Sequence, residues 1–276
     1  MNIDFTHTRL ETLLERAFEL KKNQIQLTGT ASPLALAYFL SQSYSKVINN
    51  LPHLVVVGGL AEAHRLQQLL GFFSPSRSAI ILPAYDVNPY SGLYPNSKST
   101  SGRLHFLSTA LQAKAGDIFI ATPDALMQKT LPVQVLKNNL HRLSAGDEFP
   151  GDLHDFFGSL GYITAPMVED KGQYAVRGGI VDIFPPTTDH PVRLDLFGNQ
   201  IDTIRFFSVD DQRSIETVET FLLCPAKETL FRDETHQKLI QRFKESLTDR
   251  EIDRQEADEI VRSLVLKNQF PGMEFL

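Results

Sequence analysis

Apolar positions follow two different periods along this chain, and the change of period divides it. From Thr8 to Leu20, Leu10, Leu13, Leu14, Ala17 and Phe18 share one helical face, which predicts an amphipathic lead-in helix. Short apolar runs then alternate with helical spacing. Strands are expected at Ile25 to Thr28, Leu54 to Val57, Ser78 to Leu82 and Asp117 to Ala121. Helices are expected at Pro33 to Val47, Leu60 to Leu70, Thr100 to Ala113 and Pro123 to Lys129, the last started by Thr122 as cap with Pro123 in its first position. Such alternation argues for a parallel sheet covered on both faces. After Pro132 the period becomes two. Tyr174 to Val176, Ile180 to Phe184, Val192 to Phe197 and Ile201 to Phe207 are short β-rich runs, separated by Arg177-Gly178-Gly179, Pro185-Pro186 and Gly198-Asn199. These turns reverse a strand at once, so the region reads as antiparallel, with a helix at Leu153 to Leu160, ended by Gly161, over one face. From Pro225 the chain is charged and helical, with candidates at Thr235 to Ser246 and Ile252 to Leu266. The tail PGMEFL begins like a strand and ends as if cut from a longer domain.

The breaks place an α/β domain at 1–130, an inserted, mainly antiparallel α+β domain at 131–224, and the start of a helical third part at 225–276. Between the strand near Ile81 and the helix near Thr100, Pro83 to Ser99 is long for a structureless connection. Such a loop is functional, or it is an ordered surface loop with Tyr85, Tyr90 and Tyr94 packed onto the domain.

Composition and charge sharpen this picture. Of 276 residues, 42% are hydrophobic and 22% charged, and 19 Phe supply core volume without any Trp. The single cysteine, Cys224, cannot form an internal disulfide and sits among Leu222, Leu223 and Pro225 as a small core residue. With no signal-type start and no apolar run long enough to span a membrane, a cytoplasmic protein is expected. The net charge is −6. Residues 131–224 hold 7 Lys and Arg against 14 Asp and Glu, so the acidity lies in the β-rich middle. That section would repel a nucleic-acid backbone. Its few arginines sit at turns and strands, where arginine suits a protein partner.

Catalytic chemistry is sought first at the phosphate loop. Aligning Gly29 with the first glycine of G-x-x-x-x-G-K-[ST] puts Leu34 at the second glycine, Ala35 at the lysine and Leu36 at the hydroxyl residue. Nothing then reaches the β- and γ-phosphates or ligates magnesium, and Pro33 removes an amide from the cradle. The acidic pairs Asp147-Glu148, Asp233-Glu234 and Asp258-Glu259 follow turn or helix sequence rather than a strand, the eight histidines lack metal spacing, and no G-x-S-x-G elbow is present. No cofactor, metal or catalytic residue is expected.

The segments YAVRGGIVDIFPP and PVRLDLFGNQIDTIRFFSVDDQRSIETVE, with LPAYDVNPYSGLYPNSKSTSGRL upstream and LLCPAKE downstream, resemble the UvrB-homology module of the transcription-repair coupling factor family. The excision-repair protein UvrB has a similar arrangement with an intact phosphate loop. The resemblance implies a degenerate P-loop helicase-like domain 1A, an inserted domain 2 that recruits UvrA, and a domain 1B. In the family, RNA polymerase and DNA are handled by further domains, the ATP- and magnesium-dependent translocase among them, and the recruiting surface is masked at rest by C-terminal domains. The UvrA-contacting positions of the family fall here on Arg177, Arg193 and Phe197. Period-two alternation is consistent with that transfer: Val192, Leu194 and Leu196 face one side of their strand while Arg193, Asp195 and Phe197 face the other. A plainer reading has Phe197 packed under a loop, Arg193 paired with Asp195 or Asp182, and Arg177 held by Asp170. Arg205 is left unassigned, and Arg213 is expected to be held by the carboxylates of its own turn. Two rivals remain: a nucleotide-driven half-motor, and a DNA-binding module that stacks bases on the tyrosines of the 83–99 loop.

Overall fold

The computed structural model describes residues 2–3, 26–27, 32–41, 51–77, 79–88, 91–149, 151–230, 233–248, 254–266, 268 and 270–275. The expected helix at 8–20, Gly29 and Tyr90 lie outside the described residues. The chain divides into two compact units, residues 1–84 with 109–127 and residues 85–108 with 128–276. This partition differs from the breaks drawn at 130 and 224, because the segment 85–108 groups with the second unit.

The first unit begins with β1 (Asn2–Ile3) and β2 (Gln26–Leu27), paired in parallel, and α1 (Pro33–Ser41). It continues with β3 (His53–Val56), α2 (Leu60–Phe73), β4 (Ala79–Leu82), β5 (Ile118–Ala121) and α4 (Pro123–Met127), while α3 (Ser97–Ala110), between β4 and β5 in the chain, falls mainly in the second unit. The strands β3, β5 and β4 lie side by side in that order, all parallel. The central strand β5 is buried at every position, whereas β3 alternates half-buried and exposed residues, as an edge strand does. Ala37, Ala63, Leu66, Leu70, Ile118 and Ile120 form the core on the side covered by α1 and α2. The helix at 123 starts as expected, with Leu126 N–H reaching the Thr122 carbonyl at 3.1 Å.

In the second unit, α3 (Ser97–Ala110, of which 97–108 belong here) starts three residues earlier than its apolar spacing suggests. Asn96 causes this. Its side-chain oxygen caps Ser99 N–H at 2.7 Å, and its own amides are held by Asp86. The 83–99 loop is thereby tied down: Tyr85 is buried, while Tyr94 is exposed. Buried Arg103 stacks 4.2 Å from the Tyr85 ring and donates through Nε to Glu228 at 2.5 Å, and the Tyr85 hydroxyl donates to the same carboxylate at 2.9 Å. Burial, and then Glu228, push the Tyr85 phenol well above its usual range.

Next come α5 (Val133–Asn138), β6 (His141–Ser144), α6 (Leu153–Ser159), β7 (Ile163–Thr164), β8 (Gln173–Arg177), β9 (Ile180–Ile183), β10 (Val192–Phe197), β11 (Gln200–Phe207), β12 (Ser214–Val218) and β13 (Thr220–Leu223). Strands β12 to β7 form one six-stranded sheet in the order β12-β11-β10-β9-β8-β7, antiparallel except for the short β7–β8 pair. β6 and β13 pair separately, antiparallel. Asp152 caps α6 by accepting from the His154 and Asp155 amides, and Gly161, at φ 81°, takes the left-handed turn after it. The helix lays Phe157 on the inner face of the sheet, stacked on Tyr174 at 4.7 Å and packed among Val181, Ile183, Val192 and Leu194. The expected parallel and antiparallel regions and the covering helix are thus present. Two helices close the unit, α7 (Asp233–Thr248) and α8 (Arg254–Val265), tied by His236 Nε2 donating to the Leu264 carbonyl at 2.5 Å. The tail corrects one expectation. Met273–Phe275 form a 3₁₀ turn rather than a strand, entered through Gly272 at φ 87°.

Candidate protein-interaction face

The outer face of the six-stranded sheet is built from residues that alternation turns away from the core. Cross-strand register sets Ala175, Asp182, Arg193, Arg205 and Thr217 in one row, and Arg177, Ile180, Asp195 and Thr203 in the next. Phe197, opposite Gln200, stands two residues further along β10. The inward residues Val192 and Leu194 are fully buried, and Leu196 packs partly buried against the same core, so the predicted alternation holds.

One end of this face is closed. Val168, Ala175 and Phe184, with Val209 against them, form a small second core. Towards the other end the face opens, and Phe197 is 84% exposed. No loop covers it. Two glycine turns flank this end. Gly178 at φ 60° and Gly198 at φ 62° make the two-residue reversals that the sequence marks. Gly179 is required for a different reason: a Cβ there would lie 2.7 Å from the Leu196 carbonyl oxygen, so only glycine lets the β8–β9 turn sit beside the end of β10.

Asp182, fully buried, organises the charges. Arg193 grips it with two parallel bonds, Nε to Oδ1 at 2.6 Å and Nη2 to Oδ2 at 2.9 Å, and Arg177 donates to Oδ2 from the next row. The Arg193 guanidinium also stacks over the Phe207 ring at 4.4 Å and reaches the backbone carbonyl and side-chain oxygen of Gln212, which adopts φ 60°. The hydrogen bonds to Asp182 raise the Arg193 pKa above its ordinary value against the opposing effect of burial. At 15% side-chain exposure, Arg193 is a bound component of the sheet. Arg177, at 47%, keeps donors open to solvent. The plainer reading therefore splits. Arg193 does pair with Asp182 and Arg177 pairs with Asp182 rather than Asp170, but Phe197 is unpacked.

The sequence left Arg205 unassigned, yet it lies on the same face, donating to Asp195, which also accepts from Thr203. Its position opposite Arg193 follows from register, which β10 and β11 reveal only once paired. Arg213 behaves as expected, exposed and 3.8 Å from Asp211. Cys224 is buried, its thiol pushed up to about 11 mainly by burial. Leu34, Ala35 and Leu36 occupy the first turn of α1. Among the described residues, no group of three or more His, Cys, Asp or Glu could hold a metal, and no helix is long and apolar enough to cross a membrane.

An antiparallel sheet backed by one helix, with an open arginine and phenylalanine at one end, has the form of an α+β interaction domain. Residues 142–229 match the family described as the UvrB interaction domain. Relatives at the level of the chain are transcription-repair-coupling factors. That of Haemophilus influenzae is 34% identical over 207 residues, 75% of this chain and 18% of its own length. That of Bacillus subtilis is 29% identical over 223 residues, 80% and 19% of the two chains, and that of Myxococcus xanthus 34% over 173 residues, 60% and 14%. The domain match and these relatives together make the chain similar to part of the transcription-repair-coupling factors. The chain spans less than a fifth of the length of these relatives.

Proposed function

We propose that this chain is a non-catalytic recruitment module that binds UvrA through the open end of the β8–β11 face, in a pathway that couples transcription to excision repair. The observation that carries the reading is Phe197, 84% exposed at the end of β10, on the same sheet face as an arginine that a buried carboxylate holds. An aromatic ring with a pre-oriented guanidinium is the composition of an interface hot spot. In this reading Phe197 and Arg177 touch the partner, and Arg193 contributes by fixing Asp182.

The module needs no nucleotide or metal, since Ala35 and Leu36 offer neither the lysine nor the hydroxyl that a phosphate loop uses. ATP, DNA and RNA polymerase belong to other parts of the full-length protein, and so does masking of this face. The base-stacking alternative is disfavoured by Tyr85, whose ring lies buried under Arg103 with its hydroxyl bound to Glu228.

Calorimetric titration of the chain into purified UvrA tests the reading. The parent should bind, and Arg177→Ala and Phe197→Ala should each lose at least about tenfold, equivalent to ~1.4 kcal/mol. A folded parent that does not bind UvrA refutes it.

A further inference from the structure

We propose that the second unit carries a small-molecule site beside the first turns of α3, and that this site binds a phosphomonoester with an apolar or aromatic body. The site is a cleft of 440 Å³ whose wall includes Ser97, Ser101, Lys171 and Lys227. That volume lies within the range of about 300–1,000 Å³ for small-ligand sites. The sheet contributes Ile163 from β7, the edge strand three places from β10, so the inference does not depend on the UvrA reading. A second hollow of 370 Å³ shares Ser97, Ser101 and Lys171 with the first. Asp170 and Asp189 line that second hollow, and Asp189 already balances Lys171 and His105, which places an added anion in the first.

Three observations point to an anion there. Ser101 is 8% exposed, lines both hollows, and makes no side-chain hydrogen bond among the described residues. Its oxygen is reachable from the cleft, unlike the sealed Oε2 of Glu274. Lys227, half-buried, has no acceptor among the described residues, and Lys171 uses one of its three donors on the Pro186 carbonyl at 3.1 Å. Burial lowers the pKa of both lysines, as it does for ammonium groups held from water with no anion in contact. Finally, the first turn of α3 adds its dipole and the N–H groups of Ser97 and Lys98, which have no intrahelical acceptor.

The carboxylates of the cleft do not fill this place. Glu228 is taken by Arg103 and by the Tyr85 hydroxyl. Glu274 keeps Oε2 sealed, and burial raises its pKa. Counting Arg103 behind Glu228, the cleft sets Arg103, Lys171 and Lys227 against Glu228 and Glu274, and is locally positive within an acidic region. A phosphate suits these donors better than a carboxylate does. Ammonium groups and a hydroxyl arriving from separate segments match a tetrahedral anion, whereas planar carboxylates are gripped by arginine forks, and no arginine is among the lining residues. Tyr94, Pro95 and Ile163 supply an apolar wall for the rest of the ligand.

Calorimetric titration of the chain with phenyl phosphate, inorganic phosphate and benzoate at constant ionic strength tests the site. Phenyl phosphate should bind tightest, inorganic phosphate more weakly and benzoate least. Lys227→Met, which keeps the apolar stem, should weaken phenyl phosphate by about tenfold, and Ser101→Ala by roughly threefold, the losses expected for a charged and a neutral donor. Glu274→Gln should tighten it by about threefold, because a nearby negative charge is removed. That gain cannot come from a damaged fold, and urea melts verify that every variant is folded. Tyr94→Ala should weaken phenyl phosphate while leaving inorganic phosphate unchanged, and Arg213→Ala, on an exposed turn, should bind as the parent does. Benzoate binding as tightly as phenyl phosphate overturns the phosphate assignment. Equal binding by the parent and Lys227→Met overturns the site. So does a folded parent with no saturable heat from phenyl phosphate up to about 10 mM, tenfold above a millimolar Kd.

Discussion

Replacing Asp182 by alanine should destabilise the fold most, Arg193→Ala slightly less and Arg177→Ala far less, and this order of the three losses discriminates a positioning residue from a contact residue. Asp182 has no exposed side-chain surface and accepts three bonds from two guanidiniums. Hydrogen bonds to charged groups contribute about 1.5–3 kcal/mol each, which would sum to well over 4 kcal/mol. The Arg177 bond deserves a large discount, because that side chain is 47% exposed and water replaces the carboxylate readily. The two Arg193 bonds receive little discount, because its guanidinium is 15% exposed and is left stacked on Phe207 without its counter-ion. Removing one member of a buried pair costs about 3–5 kcal/mol, and the Asp182→Ala loss should fall in that range.

Arg193→Ala should cost slightly less, because Asp182 still receives Arg177. Arg177→Ala should lie within about 0.5–1 kcal/mol of the parent, as befits an exposed pair. Urea denaturation followed by circular dichroism at neutral pH reads all three, provided the slope of each transition is unchanged. If Asp182→Ala costs under about 1 kcal/mol, well short of a broken buried pair, then the buried carboxylate is not the organising group. If Arg177→Ala costs as much as Arg193→Ala, the division of the two arginines into a contact and a support fails.

Three further outcomes follow from other parts of the molecule. Arg103→Met leaves Glu228 buried without its counter-ion and should cost about 3–5 kcal/mol, whereas Arg103→Met with Glu228→Met should recover most of that loss in the same urea assay; an uncorrected double variant would refute the account. Cys224, fully buried with its thiol raised to about 11, should resist a thiol reagent in the native state and react on unfolding; fast native labelling would contradict its core placement. His105 and His141 are both held below the usual histidine pKa, chiefly by burial. The native state therefore binds protons less readily than the unfolded chain, so their contribution is complete above the ordinary histidine pKa of about 6.5 and is lost as pH falls below it. Melting temperature should drop between pH 7.5 and 5, and less steeply in His141→Gln; parallel profiles would remove His141 from the cause.

Much of this architecture is legible in residue order. Local period and turn chemistry identify β8 to β11 and their glycine reversals, because alternation and Gly-containing pairs act over a few residues. The β6–β13 pair escapes that reading, since Arg142 meets Leu222 across about eighty residues of chain and neither run carries a strong pattern alone. β12 escapes for another reason: its residues are exposed or half-buried throughout, so no alternation marks it. The helix at Ser97 is mispredicted by three residues because its start is fixed by Asn96, itself held by a carboxylate ten residues earlier. For the site, sequence pattern finds the face but not its wiring. Strand alternation puts Arg193 and Phe197 on one side, yet their opposite fates, one gripped by Asp182 and one open, depend on the register of β9 against β10.

That wiring explains how an acidic domain can present a basic contact. Free arginines on such a domain would sample many rotamers and pair with whichever carboxylate was nearest, and binding would have to reorder them. Here Asp182 and Asp195 sit inside the sheet's own rows and hold three guanidiniums, Arg177 and Arg193 on the first and Arg205 on the second, which would lower the entropy lost on docking. The same carboxylates offset the long-range attraction that would draw nucleic acid to exposed arginines, while Arg177 keeps short-range donors open to solvent. In the proposed recruitment reading, specificity for a protein over a phosphate backbone would come from exposed Phe197, which only a complementary recess can desolvate, with Arg177 setting orientation. A face of this kind should bind with modest dependence on salt, in contrast to the steep loss expected if phosphates were its target.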